Sequence, residues 1–170
     1  MKYLLILFDK ARHSKFFLFV LNEVLGYSIP FNKPHKLKIT EVHDGGVSVR
    51  LPFRRKNLNH LKGIHACALA TTAEYASGIS LLLAIGTHYR LIMKNIHVTY
   101  HYQAKMDVIA SVKFDELHIK RNILTPLNAG EPVLFSSTVE VYDLMTNHIC
   151  TASIEWQIKH WGKVKVARVT

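Results

Sequence analysis

The chain has 170 residues, enough for one domain with a real core, and 49% of it is apolar against 20% charged, which excludes a disordered protein. Lysine and arginine number 22 against 12 aspartates and glutamates, a formal charge of +10 that favours anionic partners such as nucleic acid, acidic lipid or a phosphate-bearing molecule. The basic residues are scattered, however, and the densest cluster is only Arg54-Arg55-Lys56. A nucleic-acid binder concentrates its charge on one face or arm, so no nucleic-acid partner is expected.

The start, residues 1–8, is apolar like a signal peptide, but Asp9, Lys10 and Arg12 interrupt it and no small-residue cleavage pattern follows. A second apolar run, residues 16–25, contains Asn22 and Glu23 and is too short to span a bilayer. Together they predict an amphipathic helical extension over residues 1–30, ending at Gly26 and packed on the domain rather than inserted in a membrane.

Beyond Pro30 and Pro34 the pattern alternates. Leu37 and Ile39, then Val47, Val49 and Leu51, share one side, and Lys38, Ser48 and Arg50 the other. Asp44-Gly45-Gly46 between them predicts a hairpin turn. Residues 53–63 are polar and basic, and read as a loop.

Residues 64–85 are rich in helix formers and end at Gly86, a stop signal. Apolar residues lie all round this helix and many are small (Ala66, Ala68, Ala70, Ala73, Ala76, Gly78), which predicts a buried helix that other elements approach closely. Its length would permit a membrane span, but Thr71, Thr72, Glu74, Ser77 and Ser80 argue against one. Glu74 is the only charged residue from 64 to 87. A lone carboxylate in so apolar an element must pair, stay protonated or perform chemistry.

Four period-2 runs follow, at residues 96–102, 108–114, 133–144 and 150–159, with residues 117–128 read as an irregular basic connection turning at Pro126. Two cysteines, Cys67 and Cys150, are too few for a disulfide framework or zinc site and read as small buried hydrophobes in a reducing cytoplasm. Among the 11 histidines, His97 and His101 share a strand face but stand too far apart for one metal, and no helical His pair or Cys cluster supplements them. No metal and no cofactor are expected. The order (helical extension, hairpin, one long helix, four strands) predicts an α+β domain spanning 1–170, an antiparallel sheet of about six strands around the helix.

That order resembles the hot-dog fold, and the spacing N-x3-G-x-H-x8-E, formed by Asn59, Gly63, His65 and Glu74, resembles the signature of hot-dog acyl-CoA thioesterases of the phenylacetate-pathway and 4-hydroxybenzoyl-CoA types. It is also similar to an uncharacterised thioesterase-like branch. The resemblance implies that Glu74 is the nucleophile or general base at the thioester carbonyl and that Asn59 orients water or substrate from a facing subunit. It further implies that the backbone N–H of Ala66 polarises the carbonyl oxygen, with His65 capping or orienting the helix start. Arg54, Arg55 and Lys56 would meet the phosphates of coenzyme A, near Gly63 of the same loop. It implies an acyl-CoA substrate, a homodimer or homotetramer and a cytoplasmic protein. The family's Gly-Gly after the His is Ala66-Cys67 here, and Thr71, Ser77 and Ser80 are the candidates for a second polar partner.

Two other readings stand beside it. His60 and Glu74 have the fourteen-residue spacing of hot-dog 3-hydroxyacyl dehydratases, although that family's proline-containing elements are absent. A non-catalytic module that binds acyl-CoA or fatty acyl chains is the third.

Overall fold

The computed structural model describes residues 2–163. Helices α1 (Lys2–His13) and α2 (Lys15–Ser28) form the N-terminal extension, broken at Ser14, whose hydroxyl accepts the Phe17 N–H. The second helix runs two residues past Gly26, because a glycine in a right-handed helix costs only about 1 kcal/mol and does not by itself end one. Phe8, Leu21 and Leu25 are buried against the rest of the chain, while Phe16 and Phe19 face outward. Asn22 on α2 completes the contact: its side chain donates to Ile39 O and accepts from Ile39 N–H, closing part of an open strand edge.

That edge belongs to β1 (Lys38–His43), which pairs with β2 (Gly46–Leu51) through the expected turn. Gly45 there has φ +83°, and a Cβ would meet Phe114 O at 2.3 Å, so no other residue fits. A bulge between Ile39 and Glu41 shifts the phase, and Val42 turns inward instead of Glu41.

Helix α3 (Ala66–Ile85) follows, then β3 (Tyr89–Tyr100), β4 (Val108–Lys113), β5 (Val133–Asp143) and β6 (His148–His160). The strands form one antiparallel sheet in the order β1-β2-β4-β5-β6-β3, wrapped round α3. This is the hot-dog arrangement that the resemblance implied. The sheet's inner face meets the small residues of α3: Ala73, Ala76 and Leu81 are fully enclosed, as are Val139, Val141, Ala152 and Ile154 opposite. Helix α3 is the one described helix long and apolar enough to cross a membrane, yet 61% of that stretch is buried within this fold, as a core helix requires.

Three readings need correction. Residues 116–128 are helical, not irregular: α4 (Glu116–Ile119), a π turn (Lys120–Leu124) and α5 (Thr125–Asn128) run in succession. Asp115 caps their start by accepting the His118 N–H at 2.8 Å, and Pro126 occupies a first-turn helical position, where its missing N–H costs nothing. The strand placed at 96–102 begins at Tyr89, seven residues earlier, because Tyr89–Met93 add pairs with β6 that carry no alternation. Cys67 is exposed, since its side of α3 is the one the sheet leaves uncovered. Cys150 is buried as expected, and that burial pushes its thiol up to about 12.

Candidate active site

The loop before α3 is tied down by two asparagines. Asn57, 1% exposed, donates through Nδ2 to Pro52 O and His35 O, faces His35 Nδ1 through Oδ1 at 3.1 Å, and offers its own carbonyl to the His65 N–H at 2.8 Å. It joins the segment after α2, the end of β2 and the start of α3. Asn59 closes a tight turn: its Oδ1 accepts from Leu61 N–H at 2.9 Å and Gly63 N–H at 3.2 Å, and its N–H donates to Gly63 O. Its amide nitrogen keeps no partner among the described residues. At Gly63 a Cβ would sit 2.7 Å from Gln103 Cγ, so glycine lets Gln103 lie against the turn.

His65 caps α3, its Nδ1 accepting the Cys67 N–H at 3.1 Å. Ala66 is then the first helical residue and is exposed, with its N–H having no partner inside the helix. The Tyr100 hydroxyl donates to Ala66 O at 3.0 Å, fixing the end of β3 to the helix start. The free N–H and the helix's partial positive charge suit a developing oxyanion.

Glu74 lies on a stripe with Cys67, Thr71 and Gly78, at helical spacing, on the side of α3 that the sheet does not cover. It is half-buried and makes no hydrogen bond or ion pair with any described residue. Burial raises its pKa. Gly78, one turn on, keeps the face open: a Cβ there would stand 3.0 Å from the Trp156 ring and 3.9 Å from Glu74 Oε1.

Of the three hydroxyl candidates, two are engaged elsewhere. Ser77 accepts from Trp156 Nε1 at 2.9 Å and shares a 2.6 Å hydrogen bond with Ser137, and Ser80 accepts the Val47 N–H. Only Thr71 is on the Glu74 face, its hydroxyl donating to Cys67 O and leaving its lone pairs open.

The predicted residues do not all converge. Along α3, Ala66 and Glu74 are separated by eight residues, about 12 Å at the helical rise. The Glu74 side chain tilts toward the helix start and acts through a water in any general-base step, so the rise alone does not separate the two groups. Arg54 points into a cavity of about 590 Å³ bounded by α2 and the β1–β2 hairpin, while Arg55 and Lys56 are exposed in a short 3-10 turn and do not line it. His60 is exposed on the loop. Among the described residues no three His, Cys, Asp or Glu side chains gather as metal ligands. The sequence reading missed Asn57 and Tyr100. Nothing marked Asn57 above its neighbour Asn59, and Tyr100 read as one member of an alternating strand.

A family model described as a domain of unknown function (DUF4442) matches residues 20–158. Solved structures share the fold at low identity. A Pseudomonas aeruginosa protein of unknown function, described as a probable thioesterase, is 21% identical over 89% of this chain and 95% of its own, with a TM-score of 0.74. A Haemophilus influenzae thioesterase is 10% identical, covering 84% of this chain and 90% of its own, at 0.63. A thioesterase family protein from Silicibacter pomeroyi is 14% identical, covering 82% and 96%, at 0.61. No curated protein sequence matches.

Proposed function

The chain belongs to the DUF4442 family, and from that premise we propose that it is an acyl-CoA thioesterase acting through Glu74. The observation that carries this reading is a half-buried carboxylate with no partner, on the uncovered face of the central helix of a hot-dog fold. A charge left so exposed to desolvation is a liability for folding, and such sites are where function is found. The thioesterase descriptions of proteins with this fold support the same direction.

In the proposed reaction Glu74, ionised, takes a proton from water as the water oxygen attacks the thioester carbonyl carbon. The Ala66 N–H receives the negative charge that develops on the carbonyl oxygen. The tetrahedral intermediate then expels the thiolate, which takes the proton back from Glu74, leaving a carboxylic acid, coenzyme A and the ionised base. Thr71 is the neighbouring hydroxyl able to hold the water. The raised pKa of Glu74 makes its ionised form a stronger base.

In this reading a second copy completes the site, its Glu74 facing the first copy's helix start. The long edge strand β3 suits such a homodimer: among the described residues it pairs only with β6, and half of its twelve residues are exposed and none is buried. The reading includes a cytoplasmic location, in keeping with two unpaired thiols.

The test is thiol release from short, long and aryl acyl-CoA thioesters by wild type beside Glu74→Gln. Release by wild type and a loss of about 10²–10⁴-fold in the variant are expected. Release that survives the substitution would remove Glu74 from the chemistry. No release from any thioester would remove the activity.

A further inference from the structure

We propose that the cavity between α2 and the β1–β2 hairpin is a binding site for a small phosphate ester with an apolar or aromatic body, separate from the Glu74 face. Its volume, about 590 Å³, is in the range of small-molecule sites. Cations dominate its wall: Lys33, Lys36, Lys38, Arg50 and Arg54 against one acid, Glu23. Arg50 is already paired with Asp107. The other four cations have no carboxylate within ion-pair distance among the described residues, so their charge is unanswered by the protein itself. Lysine and arginine donors of this kind suit phosphate oxygens.

Two buried polar side chains give the second, independent sign of a ligand. Tyr75 is 6% exposed and Asn32 is 7% exposed, both line the cavity, and neither the phenol nor the carboxamide has a hydrogen-bond partner among the described residues. The polar atoms of both side chains stay open to the cavity, since no fully buried side-chain nitrogen or oxygen among the described residues lacks a partner, so both are free to bond a ligand there. Burial first, and then the Glu74 charge, raise the pKa of the Tyr75 phenol, so it stays a hydrogen-bond donor at neutral pH. Leu25, Leu37, Pro52 and the ring of Tyr27 add apolar surface to the lining. A ligand with a phosphate for the cations and a hydrophobic body for this floor satisfies every group.

Neighbouring residues point two ways along α3. Glu74 is on the uncovered stripe and does not line the cavity, whereas Tyr75, one residue on, is turned about 100° away and does. The inference therefore does not rest on the thioester reading, and its readout is binding.

Calorimetric titration of the full chain with decyl phosphate, adenosine 3′,5′-bisphosphate and uncharged decanol tests it. At least one of the two esters should bind with Kd below about 100 μM, which one does so identifying a lipid-like or a nucleotide-like body. The pair Lys33→Ala with Lys36→Ala should weaken that binding at least about tenfold, and Tyr75→Phe severalfold, while Lys120→Ala, an exposed cation that does not line the cavity, leaves it unchanged. The lysines are exposed, so that variant folds even if Tyr75→Phe does not. Failure of both esters to bind below about 1 mM would overturn the proposal. So would equal affinity in the lysine variant, equal binding of decanol, or the same weakening in Lys120→Ala.

Discussion

Glu74 is a burden on the fold that carries it. Burial raises its pKa, so the folded chain holds that proton more tightly than the unfolded chain does. Stability is therefore lost as pH rises from the usual carboxylate value through the higher folded value. Glu74→Gln has no charge to desolvate, so it should melt about 2–4 °C above wild type at pH 7.5, and the gap should close by about pH 4. Thermal melts across that range decide it, and a gap independent of pH would mean the carboxylate is not the cause. Asn57 is the opposite case, a small buried amide whose side chain bonds to Pro52 and His35 while its backbone carbonyl takes the His65 N–H, so that three segments meet at it. Asn57→Ala leaves two carbonyls unpaired and should cost about 2–4 kcal/mol in urea unfolding. Asn59, which has the motif's position, instead spends its carbonyl oxygen on its own turn. The motif's spacing made Asn59 legible. The importance of Asn57 depends on contacts with residues 35 and 52 that no local pattern announces.

Among the elements, α3 is where small side chains decide the packing. Alanine at position 78 would gain about 1 kcal/mol of helix propensity, but its Cβ would press on Trp156 at 3.0 Å, and overpacking of this kind costs about 1–3 kcal/mol. Trp156 is held by its hydrogen bond to Ser77 and has little freedom to retreat. Gly78→Ala should therefore be net destabilising by about 1 kcal/mol, measured by urea unfolding, whereas an increase in stability would show that the ring yields freely. The strands were readable where one face is buried and the other open, as in β5, which alternates without a break. They were not readable where a bulge shifts phase, as in β1, or where both faces stay partly open, as at the start of β3. The helical run at 116–128 was hidden because its turns are four and five residues long, too short for a 3.6-residue period to emerge.

At the scale of the molecule, the sheet has two unlike edges. The β1 edge is partly closed by Asn22 from α2, while β3 leaves a twelve-residue edge with no strand beside it among the described residues. In the proposed site Glu74 comes from the second chain that this edge would bring. This separates a composite site from a single-chain one by complementation. Ala66→Pro is the suitable second variant: it removes the N–H at the first helical position, where proline is tolerated. His65 before it already has an extended backbone at φ −67° and ψ 137°, as a residue preceding proline requires. Glu74→Ala and Ala66→Pro should each lack thiol release alone. Unfolded together and refolded at equal concentration, half of the dimers would be mixed, and each would carry one site with both native groups, from opposite chains. Activity should return to about a quarter of wild type. A mixture as inactive as its parents, with mixed dimers demonstrated by mass, would mean that Glu74 and the Ala66 N–H do not meet across the interface.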